Sequence, residues 1–245
     1  MVNQWRGGSL YVPDLLGCGK SDLPRRSYSP RDWAEQLHEL IVSVIKTPVV
    51  VVVQGALLPV ALELMADAVM SSWVVGAALS GPPAWRLITE PTPNWRQQLN
   101  WSLFDSPLGW GFYQYARTQN FLRSFSERQL FDQAEDVTDE WLTMLDTGSR
   151  DVATRYAVFS FLAGFWRQDY GAAIASIQQP ILVIMGKTAS TIDRTVQDTT
   201  AQERLNNYTQ HFSQARGVFI PGRNVLPYEA TAEFIDVLLP FANGL

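Results

Sequence analysis

The sequence predicts an α/β fold: a mostly parallel sheet with flanking helices and an inserted helical cap. Three observations support this prediction. Short apolar runs lack the alternation of half-exposed strands, amphipathic segments separate these runs, and residues 85–170 carry no strand pattern. The predicted domains are therefore a core formed by residues 1–84 and 171–245, and a helical cap insertion formed by residues 85–170.

Five segments carry the strand pattern. Each is apolar, rich in β-branched residues and bounded by Gly, Pro or Asp. The five segments are SLYVPD (9–14), PVVVVVQ (48–54), WVVGAALS (73–80), PILVIMG (180–186) and GVFIPG (217–222). Because their apolar residues are continuous, we expect both faces of the sheet to be covered, as in parallel sheets.

Helical segments alternate with these runs. Ser29 can cap a helix with Pro30 in its first turn. The residues that follow at the spacing of one helix face are Trp33, Leu37, Leu40, Ile41 and Val44. Further helices are predicted directly after the valine run, at 197–213 and at 231–241. Strands alternating with helices imply right-handed crossovers in a layered fold.

The predicted insertion is unusually aromatic. Residues 85–170 contain 18 of the 29 aromatic side chains, and the segments 110–125 and 150–166 have a helical pattern. Two interpretations stay open, since the rings can form a packed helical core and some of them can also cover a ligand pocket.

Composition excludes several classes of function. A net charge of -5, with no basic run, argues against a nucleic-acid surface. The first residues lack the pattern of a signal peptide, and no apolar run is long enough to cross a bilayer. With one cysteine, Cys18, no intrachain disulfide is possible. We therefore expect a soluble, cytoplasmic protein.

No cofactor or metal site is predicted. The segment GCGKS (17–21) resembles part of a phosphate-binding loop but lacks the full spacing of that motif.

Four segments, in this order, resemble the α/β-hydrolase superfamily. They are VPDLLGCGKSDLP (12–24), VVQGALLPVALEL (52–64), QPILVIMGKTAS (179–190) and IPGRNVLPYE (220–229). They resemble that family's loop after its fourth strand, its nucleophile elbow, the strand that delivers the triad acid, and the loop that delivers the triad histidine. The segment FLAGFWRQDY (161–170) also resembles hydrolase-like proteins of photosynthetic organisms.

The resemblance implies a catalytic triad at positions that carry no catalytic group. The nucleophile position is Gly55, the acid position is Ala189 and the histidine position is Val225. Shifting the elbow alignment by one or two residues supplies no nucleophile either. Gly55 suits the positive φ of an elbow turn, so the turn can persist without the side chain.

The resemblance also implies that the family's first three strands are absent from this sequence. Either the chain is a shortened family member or its true start lies further upstream. The loop after the third strand normally supplies part of the oxyanion hole, and only a dozen residues precede Pro13. Segments 9–14 and 48–54 must then pair directly, or the sheet is interrupted between them.

Other reactive groups offer no replacement. His38 and His211 fall within helical patterns, and Cys18 has no base beside it in sequence. Asp193 and Asp198 follow the acid position, but an acid without a histidine orients nothing. Catalytic residues are therefore predicted to be absent. The residues predicted to line a pocket are Gln54, Gly55, Ala56, Trp85, Asn224 and Val225.

The predicted function is binding without catalysis. The occupant would be a small lipophilic ligand or a protein partner, and the oligomeric state is left open. Two alternatives remain: an active hydrolase or lyase of this fold that uses an atypical site, and an assembly protein whose helical cap forms an interaction surface.

Overall fold

The computed structural model of the chain describes residues 2–192 and 200–245. Its sheet contains four parallel strands in the order β1-β2-β3-β4. The strands are β1 (Val49–Gln54), β2 (Val74–Ser80), β3 (Ile181–Gly186) and β4 (Ala215–Ile220). Four of the five predicted strands are therefore confirmed, and β4 begins and ends two residues earlier than predicted.

Twelve α-helices, with several short 3-10 and π turns, accompany the strands in the part of the chain that the structure describes. Before and after β1 lie α1 (Pro30–Leu40) and α2 (Leu58–Ala66). Between β2 and β3 lie α3 (Arg86–Thr89), α4 (Asn94–Phe104), α5 (Pro107–Ala116), α6 (Gln119–Phe125), α7 (Asp139–Gly148), α8 (Arg155–Ala163) and α9 (Gly171–Ser176). The remaining three are α10 (Ala201–His211), α11 (Leu226–Glu229) and α12 (Thr231–Asn243).

The predicted start of α1 is confirmed in detail. The Ser29 side chain accepts a hydrogen bond from the Asp32 backbone N–H, and the Asp32 carboxylate accepts one from the Ser29 backbone N–H, at 2.7 Å. This reciprocal arrangement satisfies two backbone donors at the helix start. Trp33 and Ile41 of the predicted face are buried, whereas Val44 lies beyond α1 and is 62% exposed.

Helices cover both faces of the sheet, as the uninterrupted apolar strands predicted. Neighbouring residues of β2 point to opposite sides: Leu79 joins the core beneath α1, α2 and α10, and Ala78 joins the core beneath α12. On α12, Phe234 and Leu238 are fully buried in that second core. Burial on both sides fixes the carboxyl ends of the strands relative to one another.

The strand predicted at 9–14 is wrong, and of the two alternatives for this end of the sheet, direct pairing of 9–14 with β1 does not occur. Residues 9–14 have no regular secondary structure, and β1 is the edge of the described sheet. The side chains of Tyr11 and Val12 are 50% and 70% exposed, so this segment contributes little to the core. The Asp14 carbonyl instead accepts a hydrogen bond from the side chain of Ser21 at 2.7 Å. An apolar run becomes a strand only where a neighbouring strand can bond its backbone.

Helices and turns make up the stretch between β2 and β3, and it includes no strand. Its aromatic rings pack on one another: Phe104 stacks on Phe159, and Trp141 contacts both Phe131 and Tyr228 edge to face. Tyr228 follows β4, so this last contact joins the intervening helices to the core. Among the described helices, none is long and apolar enough to cross a membrane.

Candidate functional site

A cavity of about 720 Å³ lies where β1 and β2 end, between the sheet and the intervening helices. Parallel strands end at one edge of a sheet, and ligands of α/β folds bind in the crevice at that edge. The lining residues from the sheet and its loops include Gln54, Gly55, Ala56, Gly81, Asn224 and Val225. Five of the six predicted pocket residues therefore line this cavity.

Gly55 forms the turn between β1 and α2. Its φ is +56°, a region that glycine adopts without strain, so the predicted tight turn is confirmed. A Cβ placed on Gly55 would approach only the Gly81 carbonyl oxygen, at 4.0 Å. The turn therefore has the shape and the space to present a side chain, but it presents none.

The two other expected catalytic positions carry no proton-transfer group. Ala189 is partly buried against the core, and its backbone N–H donates to the Gly186 carbonyl at 3.1 Å. Val225 lines the cavity and packs against the cluster that includes Phe131 and Trp141. Ala189 itself does not line the cavity, whereas its neighbour Ser190 does.

A chain of hydrogen bonds links Gln54, Ser80 and Asn224, and we call these three residues the floor of the cavity. Gln54 and Asn224 line the cavity, whereas Ser80 does not. The Ser80 hydroxyl donates to Gln54 Oε1 at 2.6 Å, and Gln54 Nε2 donates to the Asn224 carbonyl. Asn224 Nδ2 in turn donates to the Gln129 carbonyl at 2.7 Å. The network joins β1, β2, the loop after β4 and the intervening helices, and it leaves few polar groups of the floor free for chemistry.

Glu229 holds the loop in which a catalytic histidine is expected. Its carboxylate accepts backbone N–H groups from Arg223 at 3.0 Å and Val225 at 3.1 Å. It also accepts the Asp132 backbone N–H, at 2.7 Å, from the intervening helices. Charge-assisted bonds of this kind fix a loop strongly. Here they fix a valine rather than a base.

The side of the cavity near α10 is different, and we call Thr191 and Arg204 its wall. Arg204 is only 3% exposed, and burial lowers the pKa of its guanidinium below the usual value. Its Nε and Nη2, and the Thr191 hydroxyl, find no hydrogen-bond partner among the described residues. Sequence reasoning did not identify Arg204, although its position beside Leu205 and four residues before Tyr208 places it on the inner face of α10.

Cys18 is not an activated nucleophile. Burial, and then the negative charge of Asp14, raise the pKa of its thiol, which lowers the thiolate fraction at neutral pH. The side chain packs on the core and does not line the cavity.

Trp85 and the histidines also lie outside the cavity lining. The Trp85 ring stacks on His211 with ring centroids 4.3 Å apart, and the adjacent Ala84 lines the cavity in its place. His211 ends α10 on the surface, and His38 lies within α1.

Asp193 and Asp198, the expected alternatives for the acid, fall outside the described residues. No cluster of three metal-binding side chains occurs in the ranges 2–192 and 200–245.

Comparisons with known proteins agree with this architecture. The sequence pattern of the alpha/beta hydrolase family matches residues 3–237. No curated protein sequence matches the chain.

Solved structures share the fold at low sequence identity. A putative acyltransferase from Salmonella enterica has a TM-score of 0.73 and 18% identity, over 95% of this chain and 78% of that one. A thermophilic esterase from Thermogutta terrifontis has a TM-score of 0.70 and 14% identity, over 95% and 78%. An enol-lactonase from Burkholderia xenovorans has a TM-score of 0.66 and 14% identity, over 94% and 79%. At these identities the likeness concerns the fold, and a fold alone does not fix a function.

Proposed function

The chain belongs to the α/β hydrolase family, and we propose that it binds a small lipophilic molecule in the cavity above Gly55 without hydrolysing it. One observation carries the proposal. The cavity of about 720 Å³ is present, while the turn beneath it has no nucleophile and the loop beside it has no base. Pockets of this size accommodate drug-sized ligands.

The described lining also lacks another plausible base. It includes no His, Cys or Asp, and its one carboxylate is Glu90. The Arg86 guanidinium bonds both oxygens of Glu90 at 2.8 Å and lowers the pKa of this carboxyl below its usual value. A carboxylate with a lowered pKa is a weak base, and the Ser190 and Thr191 hydroxyls need a strong one to become nucleophiles. These facts disfavour the alternative of an enzyme with an atypical site.

The lining supports a largely apolar ligand. Between the polar floor and the wall, the intervening helices contribute Leu87, Phe125, Leu130, Phe161 and Trp166. Burying apolar surface against such side chains contributes about 25 cal/mol per Å². In this proposal the helices between β2 and β3 act as a cap that closes the pocket from above.

Binding can be tested with a neutral fluorescent probe, N-phenyl-1-naphthylamine, whose emission rises in apolar surroundings. We expect the purified chain to bind it, and Ser190→Trp, which fills the cavity edge, to weaken binding at least about fivefold, a loss of about 1 kcal/mol. Lys187→Trp is the matched control, because Lys187 lies on the same loop, is exposed and does not line the cavity. Absence of binding, or equal losses in both variants, would contradict the proposal.

A second candidate function is the binding of a protein partner on the outer surface of the intervening helices. Two helix faces are apolar and exposed there: Trp95, Leu99 and Leu103 on α4, and Leu108, Phe112 and Tyr115 on α5. Large exposed apolar patches commonly mark interaction sites. Affinity capture followed by protein identification tests this idea: Trp95→Glu with Leu108→Glu should remove a partner that the Gln98→Glu control retains. A partner that both variants retain would exclude this surface.

A further inference from the structure

Arg204 is a buried cation without a counter-charge in the part of the chain that the structure describes. No described carboxylate forms an ion pair with it. Burial lowers the pKa of its guanidinium, and the one electrostatic neighbour that affects this pKa is Tyr208. The Tyr208 hydroxyl donates to the Pro83 carbonyl at 2.8 Å, and this neutral phenol does not balance a positive charge. Buried charges in proteins are normally paired, because removing an ion from water costs several kcal/mol.

Arg204 lies at the cavity. It is one of the lining residues, and it is 3% exposed. Thr191 also lines the cavity and adds a buried hydroxyl that has no partner among the described residues. The lining thus includes two residues with buried hydrogen-bond donors that no described residue accepts.

No carboxylate of the described lining neutralises Arg204. Glu90 is the one carboxylate in that lining, and it forms an ion pair with Arg86. A neutral ligand would leave the guanidinium desolvated and unpaired.

We propose that the ligand of this cavity is an amphipathic organic acid whose carboxylate pairs with Arg204. This inference rests on the proposed binding function and specifies the class of ligand. The planar guanidinium matches the two oxygens of a carboxylate, and the Thr191 hydroxyl is a second unmet donor of the same lining. The apolar body of the acid would lie against Leu87, Phe161 and Trp166.

The test compares two probes of equal length, decanoate and decanol, by isothermal titration below their aggregation concentrations. The wild-type chain should bind decanoate at least about tenfold more tightly than decanol, which corresponds to 1.4 kcal/mol. Arg204→Met should abolish this preference by weakening decanoate and leaving decanol unchanged. Arg204→Lys, which keeps the charge but loses the planar fork, should retain part of the preference.

Arg150→Met is the matched control, because Arg150 is exposed and pairs with Asp146 on the surface. It should leave both affinities unchanged. If the wild-type chain binds both probes equally, or if Arg204→Met keeps the preference, the acid proposal is overturned while the binding function stands. If decanoate, decanol and N-phenyl-1-naphthylamine all fail to bind, both the proposed binding function and the acid proposal are contradicted.

Discussion

The floor and the wall of the cavity differ in whether their buried polar groups have hydrogen-bond partners. On the floor, Gln54, Ser80 and Asn224 satisfy one another and the neighbouring backbone. On the wall, Arg204 and Thr191 keep donors that no described residue accepts. A satisfied network stabilises the fold, whereas buried donors without partners require an explanation, which the proposed ligand supplies. The unmet donors of the described lining thus belong to Thr191 and Arg204 and not to the turn at Gly55.

The largest effect is expected from breaking the floor. Gln54→Leu would leave the Ser80 hydroxyl, which is 1% exposed, and the Asn224 carbonyl without partners. Each unsatisfied buried group costs about 1–3 kcal/mol, so we expect the free energy of unfolding to fall by about 3 kcal/mol. Urea denaturation measures it. Gln202→Leu, at an exposed position of α10, should change it by less than about 0.5 kcal/mol.

A smaller loss is expected at the carboxylate that supports the floor. Glu229→Ala removes the acceptor of the Asp132, Arg223 and Val225 backbone N–H groups, and should cost about 2 kcal/mol. Glu229→Gln keeps one oxygen acceptor and should cost less. Glu233→Ala, at an exposed position of α12, serves as the control in the same denaturation experiment. Equal stability of Glu229→Ala and this control would show that the loop does not depend on the carboxylate.

A substitution in the wall should raise the free energy of unfolding, whereas the substitutions in the floor lower it. In the absence of ligand, Arg204→Met removes a buried, unpaired charge, so we expect the free energy of unfolding to rise by about 1 kcal/mol. Arg150→Met should have almost no effect. A loss of more than about 2 kcal/mol in Arg204→Met would mean that the free protein already satisfies the guanidinium, and the contrast between floor and wall would disappear.

The smallest effect concerns Cys18, which belongs to neither region. Its pKa is raised from 9.0 by burial and Asp14, so at pH 7.5 the folded chain should react with iodoacetamide more slowly than the urea-unfolded chain. Because the unfolded thiol ionises first, its contribution to stability is complete below about pH 9 and decreases as pH rises beyond it. Alkylated protein should still bind N-phenyl-1-naphthylamine. Faster labelling of the folded chain would reveal an activated thiol.

The sequence predicted those parts of the molecule that follow from local pattern. The strands β1 to β4, the capped start of α1 and the glycine turn are each encoded by neighbouring residues. The segment 9–14 has the same apolar pattern but no partner strand, and pairing is a tertiary property that a short run cannot reveal. The assignment of the triad positions to Gly55, Ala189 and Val225 stays a prediction from resemblance. The structure places Gly55 in a turn with positive φ and Val225 in the cavity lining.

Two features of the site could not be predicted in the same way. The bonds of Gln54 to Ser80 and Asn224 span 26 and 170 residues of sequence. Arg204 is important because no described carboxylate pairs with its guanidinium, and its Nε and Nη2 have no hydrogen-bond acceptor among the described residues. The sequence cannot reveal this, since a helical pattern shows only that Arg204 lies on the inner face of α10. Trp85 is a residue that was predicted to line the pocket and does not. It follows a strand, but its ring packs on His211 rather than on the cavity.

The most direct test of the central claim is the release of p-nitrophenolate from p-nitrophenyl butyrate by the purified chain. The comparison is with Gly55→Trp and Ser190→Trp, two substitutions that narrow the cavity and whose folding is verified by circular dichroism. Without a nucleophile at Gly55 or a base at Val225, the wild-type chain should release product no faster than either variant. Hydrolysis by the wild-type chain that both variants lose would contradict the account, because it would place a working catalytic group in this cavity.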